Sequence, residues 1–184
     1  MKHFDPTDYP RTDDGHLQLS AEDVGGTNFE GASLERAEAT GAIFAGSGMR
    51  DCNLDDAILD NADMEGADLT HTRGMQASAK SASFYCAHMQ YADWHRADLR
   101  KADMEQVNAK FAKFDCADFR GADLRGADLR HADFTGADLR GITWDSYTLW
   151  LGAYVKDALM DDDLRAALDI DAMGYITSDT ACQH

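Results

Sequence analysis

The chain has 184 residues and a formal charge of −17, from 34 Asp plus Glu against 17 Lys plus Arg. That length suits one domain with one core. The charge argues against direct binding to nucleic acid or an anionic membrane and favours basic partners, and no apolar run approaches the ~20 residues of a membrane helix.

Residues 1–20 hold both prolines, Pro6 and Pro10, several Asp-rich turns and then His16-Leu-Gln-Leu19. They read as a partly disordered leader and a short strand that caps the next element. No apolar leader segment opens the chain, and the four cysteines (Cys52, Cys86, Cys116, Cys182) are scattered, as in reduced cytosolic proteins. A cytoplasmic location is expected.

Residues 21–145 repeat with a period of five. Every fifth residue from Val24 is a central one, mostly large and apolar: Val24, Phe29, Leu34, Ala39, Phe44 and so on to Phe134, Leu139, Trp144 and Leu149. Two positions earlier the residue is small, mostly Ala. The residue between is often Asp or Asn, and the last of the unit is often Gly. An α-helix advances ~500° in five residues and would smear these positions around its axis. A flat strand would send them to alternate faces. A chain that turns a corner once per unit keeps the Ala and central columns inside and leaves three residues outside, with Gly or Asn easing the bend.

The units ADLRG at 122–126, ADLRH at 127–131 and ADFTG at 132–136 resemble those of the pentapeptide-repeat family. The resemblance covers about residues 22–149. It implies an all-β solenoid, a right-handed quadrilateral β-helix with four units per coil, so that residues twenty apart stack.

Three stacked sets follow. Trp94 lies one coil after Gly74: either its indole fills the space the glycine leaves, or residues 73–80 form a loosened coil. Arg100, Arg120 and Arg140, continued by Lys80, form a column that binds an anion or an acidic partner, or is neutralised by Asp98, Asp118 and Asp138. His71, Tyr91, Phe111 and His131 form an outward aromatic column. It is a partner-binding strip or a structural ladder, or Phe111 turns inward beside the small Ala109.

After Thr143, apolar residues recur at helical spacing: Tyr147, Trp150, Leu151, Tyr154, Val155. Residues 146–176 are therefore expected to form an α-helical cap, with Asp161-Asp-Asp163 opening a second short helix and 177–184 as a tail. These five apolar residues are the candidate interface of a C-terminal homodimer, which the resemblance also implies; the alternative is a two-helix cap on a monomer.

No histidine pairs with Cys, Asp or Glu at metal-ligand spacing, and no phosphate loop or nucleophile elbow is present. No catalytic residue, cofactor or metal is expected, and the protein reads as non-enzymatic. Two functional readings stay open. The resemblance to gyrase-interacting, quinolone-resistance members implies an acidic DNA mimic that engages DNA gyrase or another topoisomerase. The other reading is a protein-interaction scaffold for a different partner. The charge is uneven along the chain. Residues 1–60 carry 13 acidic and 4 basic residues, 61–140 carry 13 and 11, and 141–184 carry 8 and 2. Candidate partner-binding residues are accordingly Asp51, Asp55, Asp56 and Asp60 in an N-terminal acidic patch, which Glu30 and Glu35 would extend, Asp161, Asp162 and Asp163 near the C-terminus, and Tyr91 and Phe111 of the aromatic column.

Overall fold

The computed structural model describes residues 2–178, and residues 179–184, with Cys182 and His184, lie outside it. Parallel bridges join residues twenty apart, from Gln18 with Glu38 through Asp98 with Asp118 to Asp123 with Thr143. A twenty-residue coil of four quintets is the right-handed four-sided β-helix. At each corner the central residue's carbonyl accepts a hydrogen bond from the amide three residues on, as from Thr27 to Val24. The corner residue then has a positive φ, between 55° and 61° at non-glycine positions such as Asp56, Asn61 and Phe111. This region is strained for bulky side chains, which explains the recurrent glycine. The Asp or Asn before each central residue has a local task. Its carboxylate or amide oxygen accepts the backbone N–H two residues on, as in Glu65 to Asp63 and Arg120 to Asp118.

The quintets define four sides. The first side has Val24, Phe44, Met64, Phe84, Met104 and Leu124 at its centres, and the second has Phe29, Met49, Leu69, Met89, Ala109 and Leu129. The third has Leu34, Leu54, Gly74, Trp94, Phe114 and Phe134; the fourth has Leu19, Ala39, Leu59, Ala79, Leu99, Phe119 and Leu139. These centres and the Ala columns form one buried core. Trp94 does fill the space over Gly74: a Cβ there would lie 2.8 Å from the indole Cδ2 and Cε2. The indole N–H donates to the Thr72 hydroxyl at 3.3 Å, so the coil at 73–80 is not loosened. Cys52 is buried in the tube, and burial pushes its thiol up to about 12.

At the N-terminal end, β1 (Lys2–His3) runs parallel to β2 (Thr27–Asn28). It sets Phe4 beneath Phe29, with ring centroids 4.5 Å apart. Residues 17–21 already belong to the coil, since Leu17 and Leu19 are buried and Gln18 bridges Glu38.

The C-terminal expectation needs correction. No helix forms between 146 and 160; the quintets continue for another three units after a slip of one residue. Beyond Thr143 the bridges join residues twenty-one apart, Asp128 with Leu149 and Asp133 with Tyr154. The centres are therefore Trp150, Val155 and Met160, not Leu149. Asp145 holds the extra residue: its carboxylate accepts the amides of Gly126 and Tyr147 and the Thr148 hydroxyl. The one α-helix among the described residues, α1 (Asp162–Ala167), buries Leu164. It ends at Ala167, with Leu168 as its C-cap. The segment after it folds back as an antiparallel bridge of Ile170 with Ile176 and lays Tyr175 against Tyr154.

Candidate interaction surfaces

The outward residues sort by side, and charge sorts with them. On the first side stand Glu22, Asp23, Asp63, Glu65, Asp103, Glu105, Asp123 and Asp145, against the single cation Arg125, a net charge of −7. Seven stacked rungs at ~4.8 Å span about 29 Å. The mean is about one net charge per 4 Å, against ~3.4 Å for one DNA strand. The fourth side between residues 37 and 141 is neutral: Glu38, Asp60, Asp98, Asp118 and Asp138 face Lys80, Arg100, Lys101, Arg120 and Arg140.

On that neutral side the Arg column is a closed lattice. Arg100, Arg120 and Arg140 each fold back on the Asp of their own unit at 2.5–2.6 Å. Arg100 and Arg120 also reach Asp118 and Asp138 in the next rung, at 3.7 and 3.6 Å. The Arg140 hydrogen bond holds the Asp138 carboxyl below its ordinary value, and that of Arg125 does the same for Asp123. A carboxyl depressed in the folded state stabilises the fold above its unfolded value, and that contribution is lost as pH falls through the folded value. Relief of net repulsion on acidification acts the other way but is screened at physiological salt. The melting temperature at 0.15 M salt is therefore expected to hold from pH 7 to 5 and to fall below about pH 4. Circular dichroism melts check this, and a Tm that rises towards pH 3 contradicts it.

The aromatic column is a ladder at the corner between the second and third sides. His71 and Tyr91 have centroids 5.1 Å apart, Tyr91 and Phe111 5.1 Å, and Phe111 and His131 5.0 Å, with interplanar angles of 13°, 4° and 8°. Phe111 does not turn inward; it is 44% exposed and Tyr91 52%. Above His131 the chain carries Gly152, where a Cβ would overlap the imidazole.

The candidate acidic residues do not form one patch. Asp51 stands on the ladder's corner below His71. Asp55 on the third side accepts from Arg73 and the Met75 amide, and Asp56 at the next corner lies 3.8 Å from Arg36. Asp60, on the fourth side, accepts from Ser78 and Lys80. Glu30 and Glu35 lie on the second and third sides. Asp161 accepts the Gly141 amide, while Asp162 and Asp163 open α1. Of the candidate interface residues, Trp150 and Val155 point into the tube, 1% and 5% exposed, and Tyr154 packs on Tyr175. Tyr147 and Leu151 face outward, at 76% and 38% exposure.

Stacking also brings together a pair that spacing along the chain concealed, the His95 imidazole Nδ1 and the Asp115 carboxylate. A fixed imidazole needs a nucleophile in reach to do acyl chemistry. The same outward column holds Met75 below the pair and Thr135 above it, and the Thr135 hydroxyl donates to Asp133. Among the described residues no group of three or more His, Cys, Asp or Glu is disposed to hold a metal ion, and no helix is long and apolar enough to cross a membrane.

Compared with known proteins, the sequence matches the family model for pentapeptide repeats in eight copies, at residues 23–54, 49–73 and 102–141. No curated protein matches significantly. Among solved structures, the chain is similar to HetL, a pentapeptide repeat protein involved in heterocyst differentiation regulation in the cyanobacterium Nostoc. The identity is 24% over 78% of this chain and 81% of that one, with a TM-score of 0.38. It is similar to QnrB1, a plasmid-mediated fluoroquinolone resistance protein, at 20% identity over 90% and 89% of the two chains (TM-score 0.47). A pentapeptide repeat protein of the Arabidopsis thaliana thylakoid lumen shares 25% identity over 89% of each chain, at a TM-score of 0.29.

Proposed function

Given that this chain belongs to the pentapeptide-repeat family, we propose that it is a non-enzymatic binding rod whose first side docks on a basic protein surface as a mimic of a DNA strand. The observation that carries the reading is the net charge of −7 gathered on that one side, at about the linear density of a single strand. A carboxylate row on a stiff scaffold competes with phosphates for the same Lys and Arg side chains and steers association over distances near the Debye length. The proposed partner is DNA gyrase or a related type II topoisomerase, whose DNA-binding saddle is basic. The reading includes self-association through the C-terminal end, where Tyr147 and Leu151 are exposed together with Leu159 and Met173; Trp150 and Val155 take no part in it.

The test is a gyrase supercoiling assay with and without a quinolone. Wild-type protein at micromolar concentration is expected to inhibit supercoiling or to protect against the drug. The variant Asp63→Lys, Glu65→Lys, Asp103→Lys, Glu105→Lys is expected to lose the effect at least tenfold. A variant with Asp118→Asn and Arg120→Gln on the neutral side is expected to keep it. Absence of any wild-type effect rejects the topoisomerase and leaves the second reading, a scaffold for another basic partner.

A further inference from the structure

We propose that the His71–Tyr91–Phe111–His131 corner is a self-association surface on which a second copy of this chain docks side by side and antiparallel. This contact is separate from the acidic first side and from the C-terminal end, and it rests on neither. Stacking covers the ring faces and turns the apolar edges outward, at 52% exposure for Tyr91 and 44% for Phe111. The rings recur every 5.0–5.1 Å along the rod. A second copy has the same rise and meets them rung for rung.

The order of the rings suits a two-fold axis across the rod. Reversed about a point between Tyr91 and Phe111, the ladder sets His71 against His131 and Tyr91 against Phe111, an isologous contact.

The columns that flank the ladder fix direction and register. On the third side the flank reads Arg73, Asp93, Lys113, Asp133. In the antiparallel pairing Arg73 opposes Asp133 and Asp93 opposes Lys113, and each pair occurs twice. Shifting one copy by a single rung sets Asp93 against Asp133 and Lys113 against itself, or Arg73 against Lys113 and Asp93 against itself. On the second side the flank reads Thr70, Gln90, Lys110, Arg130; here Lys110 meets Gln90 and Arg130 meets Thr70, with no like charges opposed. A parallel arrangement instead places Lys110 against Lys113, and its attractive match of Arg130 with Asp133 only offsets that clash, so it lacks the four opposite-charge pairs of the antiparallel one. The cations are accessible: Arg73 and Lys113 side chains are 59% and 63% exposed, although Arg73 also donates to Asp55 of its own chain. Lys113 also sits 3.4 Å from Asp93 of its own chain, an exposed pair of small worth. Like charges directly opposed suppress the wrong registers.

The footprint covers four rungs, about 15 Å between the outer rings, which is smaller than a standard interface of ~1,600 Å². The dimer is therefore weak, concentration-dependent and loosened by salt.

Sedimentation velocity across roughly 10 µM to 1 mM at low salt is the test, with small-angle scattering to give the shape. All proteins in the test carry Tyr147→Asp and Met173→Asp, exposed positions whose charges disable the C-terminal contact. This parent protein is expected to dimerise without lengthening, since two rods side by side keep nearly the length of one. Asp93→Lys and Lys113→Asp, each alone, should weaken association at least tenfold. The double exchange in one chain should restore it, and an equimolar mixture of the two single variants should form a heterodimer. Phe111→Asn, a residue suited to the left-handed corner, should also lose the dimer while its far-UV spectrum and melting stay native. Three results overturn the proposal: a parent protein that stays monomeric throughout the range, a parent dimer of nearly doubled length, or single variants that associate like the parent or do not recover on mixing.

Discussion

Replacing Phe134 by alanine is expected to cost about 3–5 kcal/mol, more than any substitution on the surface of the rod. The Phe134 side chain is fully buried, with ring centroids 5.3 Å from Phe114, 5.5 Å from Phe119 and 5.6 Å from Trp150. The cost is large because the wall around the void cannot close. Phe134 N–H donates to the Tyr154 carbonyl, and the Asp133 amide to Ala112, so the backbone is bonded to the rungs above and below. A chain of this size loses about 2–4 °C of Tm per kcal/mol, so the melt should fall by roughly 10 °C. Phe111→Ala, at an exposed corner of the same rod, should cost under about 1 kcal/mol. A Phe134→Ala loss as small as that would mean that the tube collapses around missing side chains.

Gly74→Ala is the second large effect, with an expected cost of about 1–3 kcal/mol for a single added methyl. The methyl would enter the volume that the Trp94 indole occupies, at 2.8 Å from two of its ring atoms. The ring has little room to retreat: it is fully buried, bonded to Thr72 and packed edge-on to Phe84 at 5.4 Å. Glycine is required here by space and not by backbone conformation, since Gly74 is not among the residues with positive φ. The two positions should therefore be coupled. With Trp94→Leu in place, Gly74→Ala should become nearly neutral, and a double-mutant cycle by denaturant unfolding measures that coupling. Additive costs would place the strain elsewhere.

The central columns could be read before any coordinates, because five-residue periodicity admits few backbones. Phe114, Phe119, Leu124 and Leu129 are buried as the period requires. The same twenty-residue spacing set Trp94 over Gly74 and aligned His71 with His131, while the packing of the indole and the direction of Phe111 stayed open in the sequence. The C-terminal coil is ambiguous in the sequence for a definite reason. Trp150, Leu151, Tyr154 and Val155 satisfy a helical period, while Trp150 and Val155 alone keep the quintet period, and one inserted residue near Asp145 hid it. Backbone pairing with the coil below decided for the quintet, with Leu149 bridging Asp128.

The acidic side was hidden by averaging. Residues 61–140 nearly cancel when summed along the chain, yet Asp63, Glu65, Asp103 and Glu105 share a side while Arg100, Arg120 and Arg140 share another. Reading every twentieth residue would have separated them. The chain by itself determined which residues go inside, because burial follows from the short-range period of apolar groups. Only the tertiary structure decided how the aligned outward residues pair, which carboxylate each Arg takes and whether Phe111 stacks outward. Rungs twenty residues apart in sequence lie one strand spacing apart in space, and at that distance charge and ring contacts are made.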